Sequence, residues 1–198
     1  MEQVDLLIDG EWVPSFSGET FPVFDPATGE QVGVAEQAGR QEVETAVQAA
    51  HAAFPGWRAL PASKRGALLS RAAALVRERK EALARLLTLE QGKPLSEARG
   101  EIAAAAGALA FFAEEARRAW GDVIPTDSPD IRSLVIKQPV GVVAAITPWN
   151  YPVSLLSWKV APALAAGCTV VAKPASETPL AAAEFVRCLV EAGVPAGV

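Results

Sequence analysis

Two continuous apolar runs, each followed by a helical pattern, constrain the fold of this chain more than any other feature. The runs cover residues 140–147 and 169–172, and continuous apolar character is typical of strands that are covered on both faces. Residues 153–166 predict a helix between the two strands, and Pro179 opens a second helix after them. Strand, helix, strand, helix in this order predicts the start of a doubly wound parallel α/β sheet.

The first part of the chain predicts β-hairpins. Asp9 and Gly10 lie between the apolar residues 6–8 and the strand-like Trp12 and Val13, and an Asp-Gly pair favours the two-residue turn of a hairpin. A second turn signal, at residues 25–29, lies between two further apolar strands. We therefore expect antiparallel pairs in front of the α/β unit.

Residues 41–120 are mostly helical in their pattern. We expect a first helix over 42–54 that ends at Pro55-Gly56, and a second helix that is capped by Ser63. The further predicted elements are helices over 81–90, which stops at Gly92, and over 96–120, a polar connection over 122–129 and an exposed strand over 131–138.

Composition and charge exclude several functional classes. The 198 residues carry a net charge of −5 and form no basic stripe, which argues against a nucleic-acid partner. No apolar stretch is long enough for a membrane span, and the first residues lack the basic region of a signal peptide. The two cysteines have no metal or redox spacing and there is one histidine. We therefore expect no metal site and a reducing, cytoplasmic compartment.

The motif Pro148-Trp149-Asn150-Tyr151-Pro152 places a side-chain amide on a stiff segment after the first apolar run. Open parallel sheets bind ligands at the carboxyl ends of their strands, where this motif falls. An amide N–H that is aimed at a developing oxyanion stabilises a tetrahedral intermediate by roughly 3 kcal/mol. Asn also caps helices well, and the spacing alone leaves these two roles of Asn150 equally open.

Lys173 and Ser176 follow the second apolar run. A cation and a hydroxyl three residues apart at the end of a strand can reach a ribose or its phosphate. The alternative is an exposed lysine and a helix-capping serine, which explains most such pairs in other proteins.

Together these motifs resemble the aldehyde dehydrogenase superfamily, over essentially the whole chain. Residues 90–95 (EQGKPL) and 112–115 look like its succinate-semialdehyde branch, and the aminoaldehyde dehydrogenases are similar as well. The resemblance implies an incomplete doubly wound, Rossmann-like NAD(P)-binding domain. A Rossmann reductase of another kind would carry a glycine fingerprint after the first strand, where Thr147 and Pro148 stand instead.

The resemblance also implies a division of the chain into three segments. Residues 1–120 correspond to the hairpins and helices of the cofactor-binding domain. Residues 121–140 correspond to a connection and an oligomerisation-type strand, and residues 141–198 to the first two strand-helix units. We expect the catalytic domain of the family to be absent from this chain.

The resemblance implies roles for both motifs. Asn150 would share an oxyanion hole, and Lys173 and Ser176 would face a ribose. Members that prefer NAD often carry Glu at the position of Ser176, where a carboxylate repels a 2′-phosphate, so we expect NADP as cofactor, with NAD also used. The resemblance places Glu177 outside the pocket. Three residues would lie beside the nicotinamide and its ribose: Ile146, Thr147 and Trp149.

Tyr151 and Trp158 lie about two helical turns apart and can share one face. The resemblance places both in the substrate tunnel, although ordinary core packing would also explain two aromatic residues. Members that act on succinic semialdehyde tend to carry Arg, which clamps a carboxylate, at the position of Trp158. Aromatic faces instead hold an apolar group or a cation, so Trp158 and the 90–95 motif favour different aldehydes. Trp158 is the stronger of these two indications of the substrate, because it would touch the aldehyde.

The reaction of the family needs a cysteine thiolate, a hydride acceptor and a glutamate that activates water. In the family, the cysteine and the glutamate follow the point where this chain ends, and Cys168 and Cys188 lie in apolar stretches that suit structural thiols. We therefore expect the N-terminal part of an NAD(P)-dependent aldehyde dehydrogenase, inactive as an isolated chain. The alternative is a non-catalytic remnant or an association module. The expected partners are a small aldehyde and, for the parent enzyme, further copies in a homodimer or homotetramer.

Overall fold

The computed structural model describes residues 2–198, which form an α/β structure. The strands are Glu2–Val4 (β1), Leu6–Ile8 (β2), Glu11–Val13 (β3), Thr20–Phe24 (β4), Gln31–Glu36 (β5), Asp122–Ile124 (β6), Ser133–Val135 (β7), Val142–Ile146 (β8) and Thr169–Lys173 (β9). The helices are Arg40–Ala59 (α1), Ala62–Glu78 (α2), Lys80–Gln91 (α3), Leu95–Glu115 (α4), Pro152–Ala166 (α5) and Leu180–Glu191 (α6), and a 3-10 turn, Ala116–Arg118, follows α4. None of the helices in this range combines the length and the apolarity that a membrane crossing requires.

The predicted hairpins are confirmed. β2 pairs antiparallel with β3, and Asp9 (φ 51°) and Gly10 (φ 81°) both adopt the left-handed conformation that a tight two-residue turn requires. β4 pairs antiparallel with β5 across the turn at residues 25–29. β1 adds to β5 as a parallel strand and completes a three-stranded sheet, which was not predicted.

The predicted end of the first helix is wrong, because α1 continues through Pro55 and Gly56 to Ala59. A proline removes one backbone donor and a glycine weakens a helix, but the burial of Trp57 outweighs both effects. The Trp57 side chain is 2% exposed, and its Nε1 donates a hydrogen bond to the carbonyl of Leu164 at 3.2 Å.

The predicted Ser63 cap is also wrong. α2 begins at Ala62 with Pro61 as its N-cap, and the carbonyl of Pro61 accepts a hydrogen bond from the N–H of Lys64 at 2.8 Å. The restricted φ of proline, −53° here, starts the helix before Ser63 is reached. The end of α3 at Gly92 is confirmed, and Gly92 lies in the left-handed region at φ 84°.

The helices pack around a main apolar core in which the Ala-rich α4 is central, and Leu180 of α6 belongs to a second, smaller cluster with Val23 and Ala35. Small side chains allow α2 to approach α4 closely: at Gly66, a Cβ would lie 2.4 Å from the carbonyl oxygen of Ala113. The fully buried large side chains of this core include Leu69, Leu87, Ile102, Leu109 and Phe185. The core extends from these helices to Ala145 of β8, so it supports the sheet directly.

Residues 121–140 differ in part from the prediction. The strand that was expected over 131–138 is limited to β7, and the expected polar connection contributes β6 as the antiparallel partner of β7. Apolar side chains of this hairpin and the residues after it, among them Val123, Leu134 and Ile136, are largely exposed. The pairing of β6 with β7 is local, but β6 contains only three residues, too few for a clear alternating pattern.

The two strand-helix units form as predicted. β8 and β9 pair in parallel, α5 connects them and α6 follows. The expected cover on both faces of β8 is only partly present, since Ala145 is buried but Ala144 and Ile146 are exposed. Within residues 2–198 this sheet has two strands, and a sheet of two strands is too small for both of its faces to be fully covered.

Candidate functional site

The carboxyl ends of β8 and β9 lie side by side and bring the two sequence motifs together. Ile146 is opposite Lys173, and the N–H of Thr147 donates a hydrogen bond to the carbonyl of Lys173 at 3.1 Å. Residues 147–151 lead from β8 into α5, and residues 174–179 lead from β9 into α6. Both loops therefore emerge at the edge where open parallel sheets bind ligands.

Asn150 presents a free side-chain amide immediately before α5. The residue is exposed, and within residues 2–198 its amide has no hydrogen-bond partner. The N-cap of α5 is Tyr151, so the structure does not support the capping role that the sequence left open for Asn150. The backbone of Asn150 is held, because its carbonyl accepts a hydrogen bond from Nζ of Lys93 at 3.0 Å.

A buried ion pair beneath this loop was missed by the sequence analysis. The side chains of Lys93 and Glu101 are 7% and 0% exposed, and they contact each other directly. Oε1 of Glu101 accepts hydrogen bonds from the N–H groups of Val153 (2.9 Å) and Ser154 (3.1 Å). These N–H groups have no acceptor within α5, so a residue of α4 caps α5 from outside. The sequence could have indicated this cap, because Glu101 follows the buried Ala98 by three residues and so places a carboxylate on the buried face of α4.

Glu90 caps α6 in the same way. Its two carboxylate oxygens accept hydrogen bonds from the N–H groups of Leu180 (2.7 Å) and Ala181 (2.8 Å). Burial raises the pKa of Glu90 to about 8, with a smaller contribution from the charge of Glu101, although the two hydrogen bonds favour the ionised form. Glu90 lies three residues after Leu87 on the buried face of α3. A carboxylate at this position was the sequence signal for a buried cap.

The pKa of Glu90 predicts that the chain loses stability as the pH rises toward about 8. The folded chain keeps the proton up to that pH, whereas the unfolded chain releases it near the ordinary value of 4.5. Between these values the folded state binds more protons, so the free energy of unfolding falls with rising pH. We expect Glu90→Gln to flatten this dependence in urea unfolding measured at several pH values, and the exposed Glu97→Gln to leave it unchanged. An equally steep dependence in Glu90→Gln would contradict the prediction.

A cleft of about 490 Å³ lies beside the second loop. Trp149 and Ser176 both line it, together with Thr178 and Glu90. The hydroxyl of Thr178 is buried and has no hydrogen-bond partner within the described residues, and Ser176 is exposed. The Trp149 ring and the exposed Ser176 hydroxyl can contact a ribose, so these two residues are compatible with a nicotinamide dinucleotide. Glu177 also lines the cleft, although the resemblance places it outside the cofactor pocket.

The other predicted cofactor residues lie at the strand ends and not in the cleft. Ile146 is exposed, whereas Thr147 is buried and its hydroxyl has no hydrogen-bond partner in the described part of the chain. Lys173 is exposed, and its Nζ donates one hydrogen bond to the carbonyl of Pro174 at 3.1 Å. An ammonium group has three donors, so Lys173 can still bind an anion.

Tyr151 and Trp158 are 51% and 59% exposed, which is not compatible with core packing in this structure. Tyr151 is the N-cap of α5, and Trp158 lies two turns along the helix. Nζ of Lys93 lies 4.2 Å from the centre of the Tyr151 ring. Much of both aromatic surfaces is thus accessible to a ligand or to another protein segment.

The cysteines occupy the core. Cys168 and Cys188 are free thiols and both are buried. Burial raises the pKa of the Cys188 thiol, which reduces the thiolate fraction. Residues 2–198 also contain no group of His, Cys, Asp and Glu side chains that could hold a metal ion.

The sequence and the backbone of this chain are similar to those of known proteins. A model of the aldehyde dehydrogenase family matches residues 12–198. The glutarate-semialdehyde dehydrogenase of Pseudomonas putida is 53% identical over 191 residues, which cover 96% of this chain and 40% of that protein. The NADP(+) succinate-semialdehyde dehydrogenase of Escherichia coli is 50% identical over 192 residues, which cover 97% of this chain and 40% of that protein.

A solved structure is similar over the full length of this chain. The crystal structure of an E. coli NADP-dependent enzyme superposes with a TM-score of 0.97 at 49% identity, and the match covers 100% of this chain and 41% of that one. The chain thus spans about 40% of the length of the curated relatives that it matches. Over this span its backbone follows that of the E. coli enzyme.

Proposed function

The chain belongs to the aldehyde dehydrogenase family, and we propose that it provides the oxyanion donor and one side of the nucleotide site for the NAD(P)-dependent oxidation of an aldehyde to a carboxylate. One observation supports this proposal most strongly: Asn150 combines a held backbone with an amide that has no hydrogen-bond partner within residues 2–198, beside the strand end at Lys173 and the loop that carries Ser176. A donor that is positioned before the reaction needs no reorganisation when charge develops.

The chemistry of this chain lies mainly in the Asn150 amide. When a thiolate adds to an aldehyde, negative charge develops on the carbonyl oxygen, and the amide would donate a hydrogen bond to it. NADP or NAD, when bound, supplies the hydride acceptor. Lys173 and Ser176 would hold its adenosine ribose and the 2′-phosphate. The residues that would line the nicotinamide side are Ile146, Thr147 and Trp149.

The test is a chimera in which this chain replaces the aligned segment of the P. putida glutarate-semialdehyde dehydrogenase. We expect the chimera to form NADPH or NADH from an aldehyde, measured by absorbance. The isolated 198-residue chain should form none, because Cys168 and Cys188 are buried and neither can act as the nucleophile. A chimera that assembles like the unmodified enzyme but shows no turnover would refute the proposal, as would turnover by the isolated chain.

We propose NADP as the better cofactor, with NAD also accepted, because Ser176 places no charge beside the ribose. In the chimera, Ser176→Glu should weaken NADP relative to NAD by at least about tenfold, since a carboxylate close to a 2′-phosphate costs more than about 1.4 kcal/mol. Glu177→Gln is the matched variant, because Glu177 lines the same cleft. An unchanged KM ratio in Ser176→Glu, or a change of equal size in Glu177→Gln, would assign the selectivity to another residue.

The proposed substrate is a semialdehyde. The names of the relatives from P. putida and E. coli support this class. The exposed rings of Tyr151 and Trp158 would pack against the apolar part of such a molecule. Neither ring carries a positive charge that could form an ion pair with a carboxylate, so these two residues would contact the carbon chain of the semialdehyde.

We propose that residues 1–120 and 141–198 form one cofactor-binding domain and that residues 121–140 associate with further copies in a homodimer or homotetramer. The exposed apolar side chains of the β6–β7 hairpin support the association. The same surface favours the second candidate function, a non-catalytic association module. The two free, buried thiols suit a reducing compartment, and we propose the cytoplasm.

A further inference from the structure

Lys93 lies in the turn between α3 and α4 and is enclosed by groups that bind its ammonium. The carboxylate of Glu101 pairs with it, and the carbonyl of Asn150 accepts a hydrogen bond from it at 3.0 Å. The third neighbour is the ring of Tyr151, whose centre lies 4.2 Å from Nζ. Two of the three contacts are therefore made by consecutive residues of the loop that carries the candidate oxyanion donor.

Glu101 holds the same loop on its other side. Its Oε1 accepts from the N–H groups of Val153 and Ser154, and the hydroxyl of Ser154 donates to the backbone carbonyl of Glu101 at 3.3 Å. The ion pair thus contacts the chain just before and just after Pro152. Both partners are buried, so solvent screens these contacts only weakly.

We propose that Lys93 is a positioning residue for Asn150. It acts through the backbone carbonyl, and it leaves the Asn150 side-chain amide free to donate to a substrate oxygen. An uncharged side chain of similar length would free the carbonyl of Asn150 and the ring of Tyr151, and would leave the Glu101 carboxylate without its cation. The proposal rests on the proposed function of Asn150, but its structural content can be measured without turnover.

Asn150 and Tyr151 make this measurement selective, because they are the only asparagine and the only tyrosine in the sequence. A 198-residue chain labelled with carbonyl-13C asparagine and 15N tyrosine gives one NMR cross-peak, from the peptide bond between them. We expect Lys93→Met to shift the Asn150 carbonyl signal upfield, because the carbonyl loses a charged donor. Lys93→Arg should retain most of the wild-type shift, and Lys159→Met, at an exposed lysine of α5, should leave the signal unchanged.

An unshifted Asn150 carbonyl in a folded Lys93→Met chain would overturn the proposal. If that variant does not fold, the unsubstituted chain decides: we expect nuclear Overhauser effects between the Lys93 side chain and the Tyr151 ring, with the lysine ε-methylene protons shifted upfield by the ring. Their absence would also overturn the proposal. An inactive chimera refutes the proposed function and leaves these signals as they are, so the two failures are distinguishable.

Discussion

Asn150→Ala is expected to lower the kcat of the chimera by roughly 10²–10³-fold, which corresponds to about 3–4 kcal/mol of transition-state stabilisation. The amide that would meet the oxyanion has no hydrogen-bond partner in the part of the chain that the structure describes, and no other asparagine exists in the sequence to replace it. The KM for the cofactor should change little, because Lys173 and Ser176 belong to the other loop. Steady-state kinetics with the aldehyde and the cofactor varied separately checks both parts.

Two further variants make this result specific. Asn150→Asp replaces the donor by a carboxylate that repels the oxyanion, so its kcat should be at least as low as that of Asn150→Ala. Gln48→Ala removes an exposed amide from α1 and should leave kcat unchanged. A kcat for Asn150→Ala within about twofold of the unsubstituted chimera, far below the loss expected for one oxyanion donor, would show that Asn150 is not the donor.

Glu101→Ala is expected to reduce the free energy of unfolding by about 3–5 kcal/mol, as measured by urea unfolding of the 198-residue chain. The substitution leaves the buried ammonium of Lys93 without its carboxylate. It also leaves the N–H groups of Val153 and Ser154 without an acceptor at the start of α5. The exposed Glu97→Ala, on the same helix, should change the unfolding midpoint only slightly.

A double-mutant cycle separates the two contributions of Glu101. Lys93→Met combined with Glu101→Leu removes both charges and fills the site with apolar side chains, which is often tolerated in buried ion pairs. The double variant should therefore be more stable than the sum of the single losses predicts. What remains lost in the double variant is the cost of the uncapped N–H groups of α5, together with the contacts of Lys93 with the Asn150 carbonyl and the Tyr151 ring. Strict additivity would show that the ion pair contributes no coupling between α4 and the turn before it.

The sequence predicted those parts of the fold whose signals are local. The Asp9-Gly10 turn, the Gly92 helix end and the alternation of strand and helix after residue 140 depend on neighbouring residues, and the structure contains all three. The predicted break at Pro55 failed because contacts of Trp57 with a residue more than 100 positions away outweigh the local preference. The pairing of β1 with β5 is likewise long-range and has no local signal.

The same distinction between local and long-range contacts applies to the candidate site. Lys173 is the last residue of β9, and Asn150 and Ser176 lie in the loops that follow β8 and β9, so their common location near this sheet edge could be predicted. Glu90 and Glu101 accept hydrogen bonds from N–H groups that lie 90 and 52 residues further along the chain, and no local pattern identifies such partners. A carboxylate on the buried face of a helix shows only that some partner exists, because a buried charge must be paired or hydrogen-bonded.

The helix caps that Glu90 and Glu101 supply from other helices determine which segments of this chain can be exchanged independently. The strand-helix units of residues 141–198 resemble an autonomous module that could be exchanged between relatives, but the first turns of both helices depend on acceptors from α3 and α4. A transplanted segment would therefore need acceptors for these N–H groups from its new host. Recombination between members of the family should therefore exchange residues 90–101 and residues 141–198 together.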